Sequence, residues 1–237
     1  MSFATKKDYC GLTTVFSTAL DIRDDAENKT AQVYRPVSNE GEILAEEVYG
    51  EDSAPSNNYA LKAAISASAG DLQIGTGVIT TVDSKKYALE SVTINTSAGS
   101  PVSISATSQE LEEGATTTNA VAFAVPAFAL STRHIAQDIF SAITASANGT
   151  VTSLQCVINC TITKDSVAGT KVSSDANSGL LMITGTLLQK STANNAAAPS
   201  ITVASGFTLA APLTRTNPES AYPEFSFTIT KPLAIAS

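Results

Sequence analysis

The stretch SLQCVINCTIT, residues 153–163, limits the fold more than any other. Leu154, Cys156, Ile158, Cys160 and Ile162 fall on one face and Gln155, Asn159, Thr161 and Thr163 on the other, with Val157 the single exception. A period of two is the mark of an antiparallel strand that is half buried. Phe225, Phe227 and Ile229 repeat it later in the chain. Further strand signals lie at residues 63–68, 77–82, 87–95, 102–106, 121–130, 180–188, 201–209 and 224–230. Turn-forming clusters separate most of them: Ser97-Ala98-Gly99-Ser100-Pro101, Ala147-Asn148-Gly149, Asn177-Ser178-Gly179 and Thr216-Asn217-Pro218. Many short strands with few helical patterns predict a mainly β fold, an antiparallel sandwich or barrel. No linker divides the 237 residues, so one β-rich domain is expected, with a strand and hairpin arm at about 10–60 and a sandwich core at about 61–237.

At the start of the chain, Leu12 to Phe16 reads as a first strand and Asp21-Ile22-Arg23-Asp24-Asp25 as a charged turn. One segment departs from the strand pattern. In STRHIAQDIFSAITAS, Ile135, Ile139, Phe140 and Ile143 recur at three- and four-residue spacing behind Ser131 and Thr132, which predicts a single short flanking helix. Residues 190–199, polar and alanine-rich, read as a loop.

The segment AQVYRPVSNEGEILAEEVYGEDSAPSNNYALK, residues 31–62, is the most one-sided in charge. Between Arg35 and Lys62 every ionised side chain is a carboxylate: Glu40, Glu42, Glu46, Glu47, Glu51 and Asp52. Val33, Tyr34, Val37, Ile43, Leu44, Val48 and Tyr49 mark two extended segments about the turn Asn39-Glu40-Gly41, an extended acidic hairpin. It is too polar for a core and too regular for a tail.

Composition removes several classes of function. The net charge is −8, whereas tight nucleic-acid binding draws on Lys and Arg neutralising phosphates. No run approaches the roughly 18 apolar residues of a membrane-spanning helix, and Lys6, Lys7 and Asp8 precede no apolar signal core, so synthesis in the cytoplasm without a membrane partner is expected. Three cysteines do not make a disulfide framework. Without a secretory signal, the Asn-x-Ser/Thr triplets at Asn28, Asn95, Asn148 and Asn159 read as chance in a chain rich in Ser and Thr.

No assembled catalytic site emerges. His134 is the only histidine and no Gly-x-Ser-x-Gly elbow accompanies it. Cys156 and Cys160, four apart on a strand, are separated by about 13 Å. Two thiolates on one zinc lie about 4 Å apart, so the pair reads as small buried hydrophobes. Gly75-Thr76-Gly77 lacks the third glycine and the helix of a phosphate cradle. Glu46-Glu47 point to opposite faces of a strand, Glu112-Glu113-Gly114 reads as a turn, and no calcium loop is present. The expectation is a protein with no enzymatic activity, no cofactor and no metal.

The order of these features resembles the major tail tube protein family of tailed bacteriophages. The resemblance rests on AQVYRPVSNEGEILAEEVYG, VTINTSAGSPVSISA, RHIAQDIFSAI and GFTLAAPLTRTNPESAYPEFSFTITKPL, about half the chain. It implies a virion structural protein whose subunits form rings, usually hexameric, by joining sheets. The rings stack into a tube that conducts DNA as non-specific cargo beside other virion proteins. On that reading Val33, Tyr34, Val37, Ile43, Leu44, Val48 and Tyr49 face a neighbouring subunit, and Glu40, Glu42, Glu46, Glu47, Glu51 and Asp52 face solvent or the channel, where carboxylates repel phosphates. An ordinary solvated hairpin explains the same residues. A capsid decoration or other virion structural protein and a carbohydrate-binding or adhesive β-sandwich are the alternatives, the last disfavoured by the absence of Trp.

Overall fold

A computed structural model describes residues 5–236 apart from 17–18, 44, 46, 63–70, 116–119, 125–142, 168–169, 191–197, 211, 217–221 and 234. The fold is mainly β, with a large antiparallel sheet, as the strand periodicity predicts, and among the described residues it carries one short helix.

The chain begins with a short strap that leads into α1 (Leu12–Phe16). Leu12 to Phe16, expected as a strand, is a helix because Asp8 caps it: its carboxylate accepts from Gly11 N and Thr13 N, both at 2.9 Å, and from the Thr13 hydroxyl. Leu12 and Phe16, four apart, then share the buried face.

Two long strands follow, β1 (Leu20–Tyr34) and β2 (Glu47–Leu61), paired from Leu20↔Leu61 to Tyr34↔Glu47. The expected charged turn at 21–25 is instead the first part of β1, with a register shift between Ile22 and Asp24. Its charges suit an edge strand, where ionised side chains discourage stray pairing.

Next come β3 (Asp71–Val82), β4 (Lys85–Ser97), β5 (Ser103–Glu110) and β6 (Ala120–Ala124). The β3–β4 turn is Asp83-Ser84, at φ 49° and 66°. Two successive positive φ values give the turn whose twist matches a two-residue hairpin. Next are β7 (Ile143–Ala145), β8 (Gly149–Val167) and β9 (Thr170–Gln189), the last two forming the longest hairpin. Short strands β10 (Ile201–Val203), β11 (Thr208–Leu209) and β12 (Thr214–Arg215) precede β13 (Glu224–Leu233) and β14 (Ile235–Ala236).

Three expectations change here. The predicted helix falls mostly outside the described residues, with His134, but its end at Ile143–Ala145 is a strand paired with β10. Ile143 is buried in the core all the same, which is why its apolar spacing fits either state. Asn177-Ser178-Gly179 lies inside β9. Thr161 pairs Ser178 and Ile162 pairs Ala176, so Asn177 is the extra residue of a bulge, which turn-forming residues accommodate as readily as a turn. The single signal at 201–209 divides into β10 and β11. The strand expected at 63–68 and most of the loop at 190–199 lie outside the described residues.

The principal sheet runs β1-β2-β5-β4-β8-β9-β13-β11. It branches at β4: β8 pairs with Ser91–Ser97, while β3 pairs with Lys85–Leu89. At the branch β3 is shifted between Gly75 and Ile79, so Gly75-Thr76-Gly77 serves the divergence of strands. Beyond it β3 pairs with β6, and β6 with β14, which follows β13 directly. A circuit of strands thus runs by pairing along β4-β8-β9-β13, passes by chain connection to β14, and returns by pairing through β6 and β3 to β4.

Alternation along each strand sends Val92, Ile94, Ile104, Leu154, Cys156, Ile158, Ile183, Phe227 and Ile229 into one core. Each fully buried aliphatic side chain there contributes about 1.5–3 kcal/mol relative to exposure. The opposite face of the same strands carries Ser, Thr, Asn and Gln.

Candidate assembly surface

The acidic hairpin forms, and its tip shows why. Val37 and Ile43 meet in an isolated bridge below the turn. Ser38 N donates to Glu42 O at 2.8 Å and Gly41 N to Ser38 O at 3.0 Å. The Ser38 hydroxyl accepts from the backbone N–H of Glu40 and Glu42, at 3.2 and 3.1 Å. Gly41 sits at φ 84° with open space around its Cα, so backbone conformation rather than crowding calls for glycine there.

The residues expected at an interface divide by position. Val33 pairs Val48, Tyr34 pairs Glu47 and Tyr49 pairs Gln32, all within the β1–β2 ladder. Val37 and Ile43 stand at the tip, 57% and 59% exposed. Leu44 and Glu46 lie outside the described residues. Glu40 and Glu42 are exposed beside the apolar pair, and Glu47 and Glu51 lie in β2.

Asp52 stands apart from the other carboxylates. It is partly buried, and Lys164 Nζ lies 2.7 Å from its Oδ2. The same ammonium donates to Gln109 Oε1 at 2.6 Å. Asp52 therefore ties the β1–β2 hairpin to the β8–β9 hairpin.

The tip of β8–β9, which the sequence reading passed over, has the same character. Val167 and Val172 are 65% and 51% exposed. Of the six large hydrophobics exposed among the described residues, these four sit at the tips of the two longest hairpins. The legible signal was Val167-Ala168-Gly169-Thr170, a small-residue pair between β-branched residues. Among the described residues β1 pairs with β2 alone, so its other edge is open. The strap crosses only its beginning, where Lys6 Nζ donates to Arg23 O and Lys7 N to Asp25 Oδ2.

Cys10, Cys156 and Cys160 are free and buried, and loss of solvation pushes each thiol up to about 12. Cys156 and Cys160 take the buried role expected for them. Burial also raises the Tyr59 phenol, which donates to Asp8 Oδ1 at 2.5 Å. Among the described residues no group of three His, Cys, Asp or Glu side chains converges as a metal site.

No family model matches the chain, and no curated protein matches it as a relative.

Proposed function

We propose that this chain is a non-enzymatic structural subunit that assembles with copies of itself through its hairpins and the open edge of β1. The tail tube family it resembles gives the form: rings stacked into a tube in a virion, with DNA as non-specific cargo.

The observation that carries the reading is the concentration of exposed Val37, Ile43, Val167 and Val172 at two hairpin tips. Scattered single apolar residues on a surface need no explanation, but paired β-branched residues at projecting tips favour burial against a partner. The open β1 edge supplies backbone donors and acceptors for strand addition. Its charges, from Asp21 to Lys29, restrict pairing to a complementary partner. A head-to-tail contact of this kind closes into a ring under rotation. Glu40 and Glu42 beside the tip repel a passing polyanion over about 8 Å at physiological salt.

Sedimentation velocity over a concentration series, with negative-stain microscopy of the heavy fractions, tests this. Rings or tubes are expected from the wild-type chain. A V37K/I43K variant should remain monomeric with unchanged circular dichroism. A wild type that stays monomeric at every concentration, alone and beside other tail proteins, removes the proposal.

A further inference from the structure

The outer face of the principal sheet holds an open trough of about 700 Å³. Eleven of its fifteen lining residues are Ser, Thr, Asn or Gln, and none is charged. They are in register. Ser103, Asn95, Gln155, Thr184 and Thr228 stand side by side on β5, β4, β8, β9 and β13. A second row, two residues along, runs Ser97, Ser153, Thr186 and Ser226. Gln155 Nε2 donates to Asn95 Oδ1 at 2.9 Å, orienting both amides. Strand spacing places neighbours in a row about 4.8 Å apart and the rows about 6.8 Å apart, a lattice of groups that both donate and accept.

The lining decides what fits. An anion or cation finds no countercharge there, and a nucleic acid finds no Lys or Arg. A protein partner needs apolar or aromatic anchors at the centre of its interface. Leu154 and Phe227 border the trough, but their side chains belong to the core. What remains is a neutral ligand with many hydroxyls, each acting as donor and acceptor. The volume lies within the range of small-molecule sites, and strands rather than loops hold the groups in place.

We infer that this trough binds a neutral oligosaccharide. The site lies at the opposite end of β8 from Val167 and is independent of the assembly reading. Without an aromatic platform, affinity rests on hydrogen bonds exchanged with water, so dissociation constants of about 0.1–10 mM are expected.

Saturation-transfer difference NMR of the full chain with maltohexaose, cellohexaose, mannohexaose and chitohexaose tests this, because the signal is read on the sugar whatever the size of the assembly. Transfer to at least one sugar is expected. Q155A and T184V should each weaken it about fivefold, the worth of one hydrogen bond. Gln155 is exposed, so its replacement leaves the core intact, and an unchanged melting temperature checks this. The V37K/I43K variant should bind as wild type does. Absence of transfer to all four sugars, or variants that bind as the parent does, overturns the inference.

Discussion

Lys164 joins the two longest hairpins: its ammonium stands 2.8 and 2.7 Å from the carboxylate oxygens of Asp52 on β2 and donates to Gln109 on β5. Gln109 in turn donates to Glu90 Oε2 at 3.0 Å. The Lys164 side chain keeps only 13% of its exposure, so this pair is better shielded than an ordinary surface bridge. Lys164→Met removes the ammonium from the Asp52 carboxylate and from Gln109 Oε1, and is expected to cost about 1–3 kcal/mol in urea unfolding. Adding Asp52→Leu should recover part of that loss.

Gly185 is fixed by crowding. A Cβ there would stand 2.4 Å from Phe227 Cζ and 2.7 Å from both Leu154 Cδ2 and the Ser153 carbonyl oxygen. The backbone oxygen cannot swing aside as a side chain can. Gly185→Ala is expected to destabilise by about 2–3 kcal/mol, read as a lower urea midpoint.

Asn57 holds the strap. Its Oδ1 accepts from Tyr9 N at 2.9 Å and Cys10 N at 3.2 Å, and its Nδ2 donates to Lys7 O at 2.8 Å. Asn57→Ala leaves two buried N–H groups unpaired, at about 1–3 kcal/mol each as an upper range. Faster hydrogen exchange at Tyr9 and Cys10, with the core of β8 and β9 unchanged, is the expected signature.

Thr96 Oγ1 is a buried side-chain oxygen with no hydrogen-bond partner among the described residues. Thr96→Val keeps the shape and removes the unpaired hydroxyl. Stability should rise by about 1 kcal/mol, seen as a higher urea midpoint.

Alkali should unfold the protein. Burial raises the Cys10, Cys156 and Cys160 thiols to about 12 from their ordinary value of 9.0. The folded state therefore holds protons that the unfolded state releases. This stabilisation is complete below about pH 9 and is lost as pH climbs toward 12. Urea midpoints should fall through that window, and a thiol reagent at pH 8 should label the cysteines only after denaturation.

The strands were legible wherever one face is buried. Cys156, Ile158 and Cys160 enter the core as their alternation requires, because a period of two has one solution when a sheet covers a core. The acidic hairpin was legible from Asn39-Glu40-Gly41, although its strands reach back to Leu20 and on to Leu61. The reading failed where one local pattern serves two structures. Asp21 to Asp25 is as polar as a turn because an edge strand is solvated, and Asn177-Ser178-Gly179 is as permissive as a turn because a bulge needs the same freedom. Leu12 to Phe16 was settled by Asp8, a cap whose significance depends on the backbone amides it reaches. The trough could not be found from spacing alone. Gln155 was placed on the polar face, but Thr184 and Thr228 stand beside it only through long-range register.

The closed circuit of strands bears on how the protein is born. Ile235 pairs with Val121, so the last link of the circuit is translated long after the partner it must find. Until then β6 emerges from the ribosome with a bare flank, and loop-closure entropy makes that distant match slow. The nascent chain is thus at its stickiest until β14 has been made, and a chaperone that shields Ala120–Ala124 would raise the yield of folded protein more than one acting on the β1–β2 hairpin.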